Sequence, residues 1–305
     1  MPMHVLPRAL NYLETVARVG SIQAASRSIG IAASAIDRQI IALEDDCQTP
    51  LFERHARGMR LTSAGEAVVL LARRWRADEE RLEEEMRTMR GEQFGTVRLG
   101  AMDSLVNSIL PDLVSAFAEQ YPRIRFAVDI MTPRDAAHEL DIGSIDLALA
   151  FNLPNDRARH VLWSAPLPFG CVVGQGHPLW DRSATTLSEA AEYPLAAQSR
   201  VLPVRECLDK SFGWLFEGAE PALVTNSLQF LKQMLTGGKY LAITSQLDAL
   251  SELESGRLRF VPLPDQGLRP QSISVAIDAR RPLSRAARLV GEALSDKLLE
   301  KLGKA

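Results

Sequence analysis

Apolar positions recur at helical spacing in three short segments at the start of the chain. Leu10, Leu13, Val16 and Ala17 form one face of a helix over residues 8–19, closed by Gly20. Ser21 is placed to cap the next helix, because its hydroxyl can accept from a free amide of the first turn. Ala24, Ala25 and Ile29 make that helix's inner face, and Gly30 punctuates the turn that follows. Ile36, Ile40 and Leu43 repeat at i, i+4 and i+7, which predicts a third amphipathic helix over 33–46, with Pro50 stopping any extension. The run from Leu51 to Thr62 predicts a two-stranded wing, with Gly58 in its turn and Leu51, Phe52 and Leu61 anchored in the core. Ser63 followed by Glu66 fits a capping box.

A helix of about 28 residues follows, running to Gly91. Val68, Trp75, Leu82 and Met89 lie seven apart, Ala72 and Met86 flank that seam, and Arg73, Arg74, Arg76 and residues 78–81 and 83–85 are charged. A heptad stripe on a charged rod is a dimerisation signal; the alternative is a helix packed on its own domain. From Thr96 the pattern changes to alternating strand and helix. Strands are predicted at 97–101, 124–130, 145–151, 167–173, 194–197, 241–244 and 272–277, with helices at 109–121, 136–140, 228–235 and 284–302. That alternation predicts parallel sheets with crossover helices.

The 305 residues suffice for two or three domains, and 46% hydrophobic with 24% charged residues supplies ordinary globular cores. The net charge of −3 speaks against a protein that coats nucleic acid without specificity, but local charge decides for a module. Residues 1–65 hold seven arginines against six acids, and Arg54, Arg57 and Arg60 crowd into the wing. Three scattered cysteines, Cys47, Cys171 and Cys207, fit a reducing cytoplasm and show no metal spacing. The first eight residues lack the apolar core of a signal peptide, and no apolar run is long enough for a membrane span. No metal site or resident cofactor is expected.

The helix-turn-helix carries the chemistry. Ser34, Asp37, Arg38 and Gln39 lie on the exposed face of the third helix, which suits insertion into the major groove of double-stranded DNA. Ala35 can touch a thymine methyl, Arg38 can pair with guanine or a phosphate, and Asp37 can accept from a cytosine amino group. Gln39 has an alternative role bridging the turn. Ser21, Gln23, Arg54, Arg57 and Arg60 are placed for phosphate or minor-groove contacts, the alternative for the arginines being a solvated loop.

The order of motifs resembles the LysR-type transcriptional regulators over essentially the whole chain. The matching pieces are Gly20-Ser21-Ile22 with Ala24-Ala25, then Ala35-Ile36, Arg38-Gln39-Ile40 and Leu43-Glu44. They continue with Pro50-Leu51-Phe52-Glu53-Arg54, Arg57-Gly58, Arg60-Leu61-Thr62 and Ala64-Gly65. Leu110-Pro111, Leu113, Tyr121-Pro122, Gly143 and Asp146-Leu147-Ala148 complete the series. The family often opens its recognition helix with Ser-Gln-Pro, where this chain has Ala32-Ala33-Ser34, so Ala33 brings no polar group to the DNA.

The resemblance implies a multidomain fold. An all-α winged helix-turn-helix (1–62) and a long linker helix (63–91) precede an α/β two-lobed, type II periplasmic-binding-protein-like domain (92–305). Lobe I would hold about 96–165 and 268–305, and lobe II about 166–267. It further implies a homodimer or homotetramer, a small-molecule effector in the C-terminal domain, and RNA polymerase as a partner. By position, the cleft candidates are Asp103 and Ser104 after the first strand, Thr132 after the second and Asn152 after the third; Ser199, Arg200 and Asn226, with Ser227, would line the other lobe. Ser104, Asn226 and Ser227 have an alternative role as helix caps.

Three rival readings stand beside this one. An enzyme is disfavoured by five dispersed histidines (4, 55, 138, 160 and 177) and by the lack of a Gly-x-Ser-x-Gly elbow. A solute-binding protein leaves residues 1–90 without a role. A constitutive DNA-binding regulator would have no effector at all.

Overall fold

A computed structural model of the protein describes residues 6–55, 58–90, 95–200, 203–212, 220–264 and 270–302. Apart from the short 142–144 turn, the residues up to Phe94 make one compact unit and those from Gly95 onward make another.

The first unit begins with α1 (Arg8–Val19), α2 (Ile22–Ile29) and α3 (Ala33–Cys47). Gly20 and Gly30 end α1 and α2 in left-handed conformation, with φ of 77° and 69°. Ser21 Oγ accepts from the Ala24 amide at 3.1 Å, so the N-cap expected of it is present. Leu13, Val16, Ala25, Ile36, Ile40, Leu51 and Phe52 are buried in one core. Helix α3 stops before Pro50. Gln48 turns left-handed, at φ 51°, and its amide returns to the carbonyls of Asp45 and Glu44.

Strands β1 (Phe52–His55) and β2 (Gly58–Leu61) pair antiparallel as the wing. Hydrogen bonds to the wing's backbone fix it to the helices. The Glu44 carboxylate accepts from the amides of Leu51 and Phe52 at 2.8 and 3.1 Å. The Met59 amide donates to the Gly20 carbonyl at 2.8 Å. Gly58 has φ +133°, and a Cβ there would sit 2.6 Å from Gly20 O, so only glycine fits this seam. Glu44→Ala strands both amides. We expect it to cost about 1–3 kcal/mol of head stability, read as an earlier urea transition, with Glu44→Gln restoring part of it.

Helix α4 (Ser63–Met89) is capped by Thr62 rather than by the expected Ser63–Glu66 box. Thr62 Oγ1 accepts from Gly65 N at 3.0 Å and donates to Pro50 O at 2.8 Å. A hydroxyl already held by the chain end of α3 wins over one facing solvent.

In the second unit, β3 (Gly95–Ala101), β4 (Ile124–Ile130) and β5 (Leu147–Phe151) run parallel. The connections are α5 (Ile109–Gln120) and α6 (Pro133–Ile142). Strand β12 (Gln271–Asp278) is antiparallel to β5 on one side and to β6 (Arg159–Leu167) on the other, so β6 runs in the direction of β3–β5, and the order in lobe I is β4-β3-β5-β12-β6. The C-terminal helix α11 (Arg285–Leu302) lays Val290, Leu294 and Leu298 into that core with Leu99 and Leu147.

Lobe II differs from the expected parallel sheet. Strand β7 (Phe169–Gly174) is central, with β10 (Leu241–Ser245) and β11 (Leu258–Pro262) antiparallel on either side. Strands β8 (Ala196–Gln198) and β9 (Leu223–Thr225) pair parallel, and they join β10 through a parallel Leu195–Leu241 bridge. A fully buried apolar run such as β7 carries no mark of strand direction. The predicted strand 167–173 is also corrected. Pro168, which has no N–H to give a ladder, separates β6 from β7. Short helices α7 (Leu187–Ala190), α8 (Pro203–Phe212), α9 (Leu228–Leu235) and α10 (Leu250–Glu254) pack around this lobe.

His177 is buried in lobe II against Tyr193, ring centroids 5.0 Å apart. Its Nδ1 accepts from Leu179 N at 3.1 Å, so Nε2 carries the proton, and that atom is buried without a partner. Desolvation holds its pKa below the ordinary 6.5. The unfolded chain therefore binds this proton more readily than the folded one. Stability from this site is complete above about pH 6.5 and declines as pH falls from there toward the lowered folded value. The urea midpoint of the wild type should fall more between neutral and mildly acid pH than that of His177→Phe. Parallel pH profiles would remove His177 as the cause.

Candidate nucleic-acid interface and effector cleft

Buried Ile36 and Ile40 seat α3 on the head, and that anchoring turns Ser34, Arg38 and Gln39 outward, all exposed. Ala33, Ala35 and Asp37 are half-buried beside them. The N-cap residue Ala32 supplies no side-chain acceptor, as its methyl predicts, so the first amides of α3 are open to a phosphate oxygen.

Asp37 and Arg54 are not independent contacts. They form an ion pair at 3.0 Å between α3 and the wing. The pair cancels the repulsion a bare carboxylate would exert on phosphate, and it holds Arg54 beside the recognition helix. Its energy is small between such exposed groups, about 0–1 kcal/mol, so its effect is orientation. Arg60 is exposed on β2 opposite Glu53. Arg57 lies outside the described residues. Gln23 is exposed on the first turn of α2, and Arg27, one turn further along the same face, joins it. Arg27 was missed by the sequence reading, although its i+4 spacing from Gln23 marks the face.

On α4 the four heptad positions separate. Val68 is half-buried and packs on the head core, whereas Trp75, Leu82 and Met89 are 44%, 43% and 84% exposed. Leu71 and Met86 are exposed as well. The opposite side of the helix is tied to α1, where Glu14 pairs with Arg76 at 2.7 Å and Arg73 at 3.5 Å.

In the second unit, the C-terminal ends of β3 and β5 face lobe II. Among the described residues, hydrogen bonds that cross between the lobes include Ser104 Oγ to Asp248, Asn107 Nδ2 to Gln229 Oε1 at 2.9 Å, and Lys301 Nζ to Glu254 Oε1. Asp248 is buried and also accepts from the hydroxyls of Thr244 and Ser245 and from Ser245 N. Ser104 is thus a lobe-to-lobe contact whose proton is already given to a carboxylate. Thr132 caps α6, accepting from Asp135 N at 3.2 Å. Asn152 sits at φ +47°; its Oδ1 accepts from Ser272 N at 2.9 Å, and its own amide donates to Ser272 O at 2.7 Å.

Of the remaining predicted positions, Asp103, Arg200 and Asn226 are exposed. Arg200 lies 3.4 Å from Asp209, which buried Arg205 also binds, at 2.7 Å. Ser199 follows β8, and its hydroxyl is buried without a partner. The sequence reading missed Asp248, Gln229, Arg205 and Gln271. Ser245 and Asp248 have capping-box spacing, a signal that could have found the first of these. Among the described residues, no group of three or more His, Cys, Asp or Glu side chains could hold a metal. No described helix is long and apolar enough to cross a membrane.

A winged helix-turn-helix with a basic, polar recognition face, joined by a long helix to a two-lobed α/β domain, defines a DNA-binding transcriptional regulator. The family of bacterial regulatory helix-turn-helix proteins of lysR type matches residues 7–66, and the LysR substrate binding domain matches residues 90–299. The chain belongs to the LysR family. It is similar to the RuBisCO operon transcriptional regulator of Allochromatium vinosum, 26% identical over 84% of each chain. It is also similar to the HTH-type transcriptional regulator CbbR of Rhizobium meliloti, 28% identical over 88% of this chain and 86% of that one. Among solved structures, a full-length OxyR variant from Pseudomonas aeruginosa superposes with a TM-score of 0.67 at 18% identity, covering 97% of this chain and 95% of that one. Full-length CbnR complexed with its target DNA superposes at 0.63, also 18% identical, covering 97% and 98%.

Proposed function

We propose that the protein binds operator DNA as a homodimer or a pair of dimers, reads bases with the first turns of α3, and responds to a small polar effector held between lobes I and II. One observation carries the DNA reading. Ser34, Arg38 and Gln39 form a continuous exposed polar face on a helix whose other side is buried, with a wing arginine docked on Asp37. Arg38 is the base-reading candidate, while Arg60, Gln23 and Arg27 serve the phosphates. The exposed stripe from Trp75 to Met89 on α4 supplies the contact between copies. Contact with RNA polymerase follows from the regulatory role. No resident cofactor or metal enters this reading, and the chemistry it describes is recognition rather than catalysis.

The test compares two variants on the DNA upstream of the protein's own gene and on a scrambled duplex. Arg60→Ala should weaken both equally and reduce the salt slope by about one. Arg38→Ala should cost about 1–3 kcal/mol on the cognate duplex alone. Equal weakening by Arg38→Ala on both duplexes would move that residue to the phosphates. The effector half is tested by thermal denaturation of the full chain with pools of cell metabolites. Stabilisation of the C-terminal transition supports it, and no response to any pool favours a constitutive regulator.

A further inference from the structure

We propose that Gln271 is a specificity-determining contact of the effector cleft, its Nε2 donating to an oxygen acceptor of the ligand, a carboxylate or a carboxamide carbonyl. The inference rests on the effector reading given above. Gln271 is the first residue of β12, where the chain passes from lobe II back into lobe I, and it lies beside the C-terminal end of β5. It is 1% exposed. Asn152 fixes which way its amide faces. Asn152 Oδ1 is taken by Ser272 N, so Asn152 Nδ2 faces Gln271 and donates to Oε1 at 3.4 Å. Gln271 Nε2 is left buried with no partner in the protein.

Such a donor is costly to leave unmade, and a strand residue of this size could be apolar at no loss to the sheet. A second buried orphan, Ser199 Oγ, follows β8 in lobe II, and exposed Arg200 stands next to it. The interlobe hydrogen bonds of Ser104 and Asn107 hold the two lobes together around this end of the sheet. An acceptor oxygen arriving there satisfies Gln271 without displacing any bond already formed. Asp103 and Asp248 offer no such welcome to an anion at the Ser104 end, which directs the oxygen toward Gln271.

The experiment uses the full chain, with butyrate and butyramide as probes and Gln271→Met as the isosteric variant lacking the donor. Without probe, Gln271→Met should raise the melting temperature of the C-terminal unit by about 2–4 °C, because it removes an unsatisfied buried donor, while the Asn152 Nδ2 that loses Oε1 as its acceptor belongs to an exposed residue and turns to water. A lowered melting temperature would mean that Gln271 is structural, and would overturn the proposal. In NMR spectra, the Gln271 side-chain amide is identified by its loss in the variant. Butyrate or butyramide should shift it, and the tighter of the two names the acceptor. Binding should weaken about tenfold in Gln271→Met, the worth of one such hydrogen bond. Shifts confined to other residues of the cleft would overturn the role of Gln271 and leave the effector reading standing. No shift with either probe would overturn the acceptor chemistry proposed here, while metabolite pools still decide the effector reading independently.

Discussion

The double substitution Trp75→Glu, Leu82→Glu is expected to convert the protein to monomers and to abolish tight binding to a two-half-site duplex. Both side chains are more than two-fifths exposed in the single chain, so replacing them removes little from the fold of one copy. Between two copies they would be buried, each contributing about 1.5–3 kcal/mol. Two carboxylates in the seam add desolvation and mutual repulsion. The combined loss should raise the dimer dissociation constant by about a thousandfold or more. Sedimentation velocity reads the change, and far-UV circular dichroism should remain unaltered. A variant that still sediments as a dimer would place the interface elsewhere. Val68→Glu serves as a contrast, because Val68 packs on the head core and its loss should lower head stability instead.

Asp248→Ala is expected to have the largest effect on the C-terminal unit. One buried carboxylate satisfies three hydroxyls and one amide, and one of those hydroxyls, that of Ser104, comes from the other lobe. Hydrogen bonds to a charged group are worth about 1.5–3 kcal/mol each, but they share one acceptor and do not add, so the loss should be on the order of 4 kcal/mol. At about 2–4 °C per kcal/mol for a unit of this size, the C-terminal transition should drop by roughly 8–16 °C. Ser104→Ala breaks only the interlobe bond, and its smaller loss isolates that contact. If Asp248→Ala costs no more than Ser104→Ala, the carboxylate is not the hub described.

The helical head was the most legible part of the sequence because its period, glycines and caps agree with one another. Leu13, Val16, Ile36 and Ile40 lie in the core that their spacing implies. The Asp37–Arg54 pair was not legible, because it depends on how the wing folds back on α3, and no local pattern records that. The sequence pattern predicts no strand over residues 159–166, because β6 is an edge strand whose residues are mostly exposed, including Val161 and Leu162. In lobe II the pattern located β7, β8 and β10 approximately, but it gave neither β9 nor β11 nor the antiparallel direction of the sheet. Among the cleft candidates, position along the chain could not tell a free hydroxyl from an engaged one. Ser199 and Ser104 look alike in sequence, and the structure leaves the first unpartnered while giving the second to Asp248.

We expect two copies of α3, held in register by α4, to grip one duplex. Analytical ultracentrifugation of the full chain with labelled DNA from upstream of its own gene tests it most directly. The expected result is an even number of protomers per duplex, two or four, and a complex that competes away with unlabelled cognate DNA far more readily than with scrambled DNA. One protomer per duplex, or equal competition by both DNAs, would contradict it.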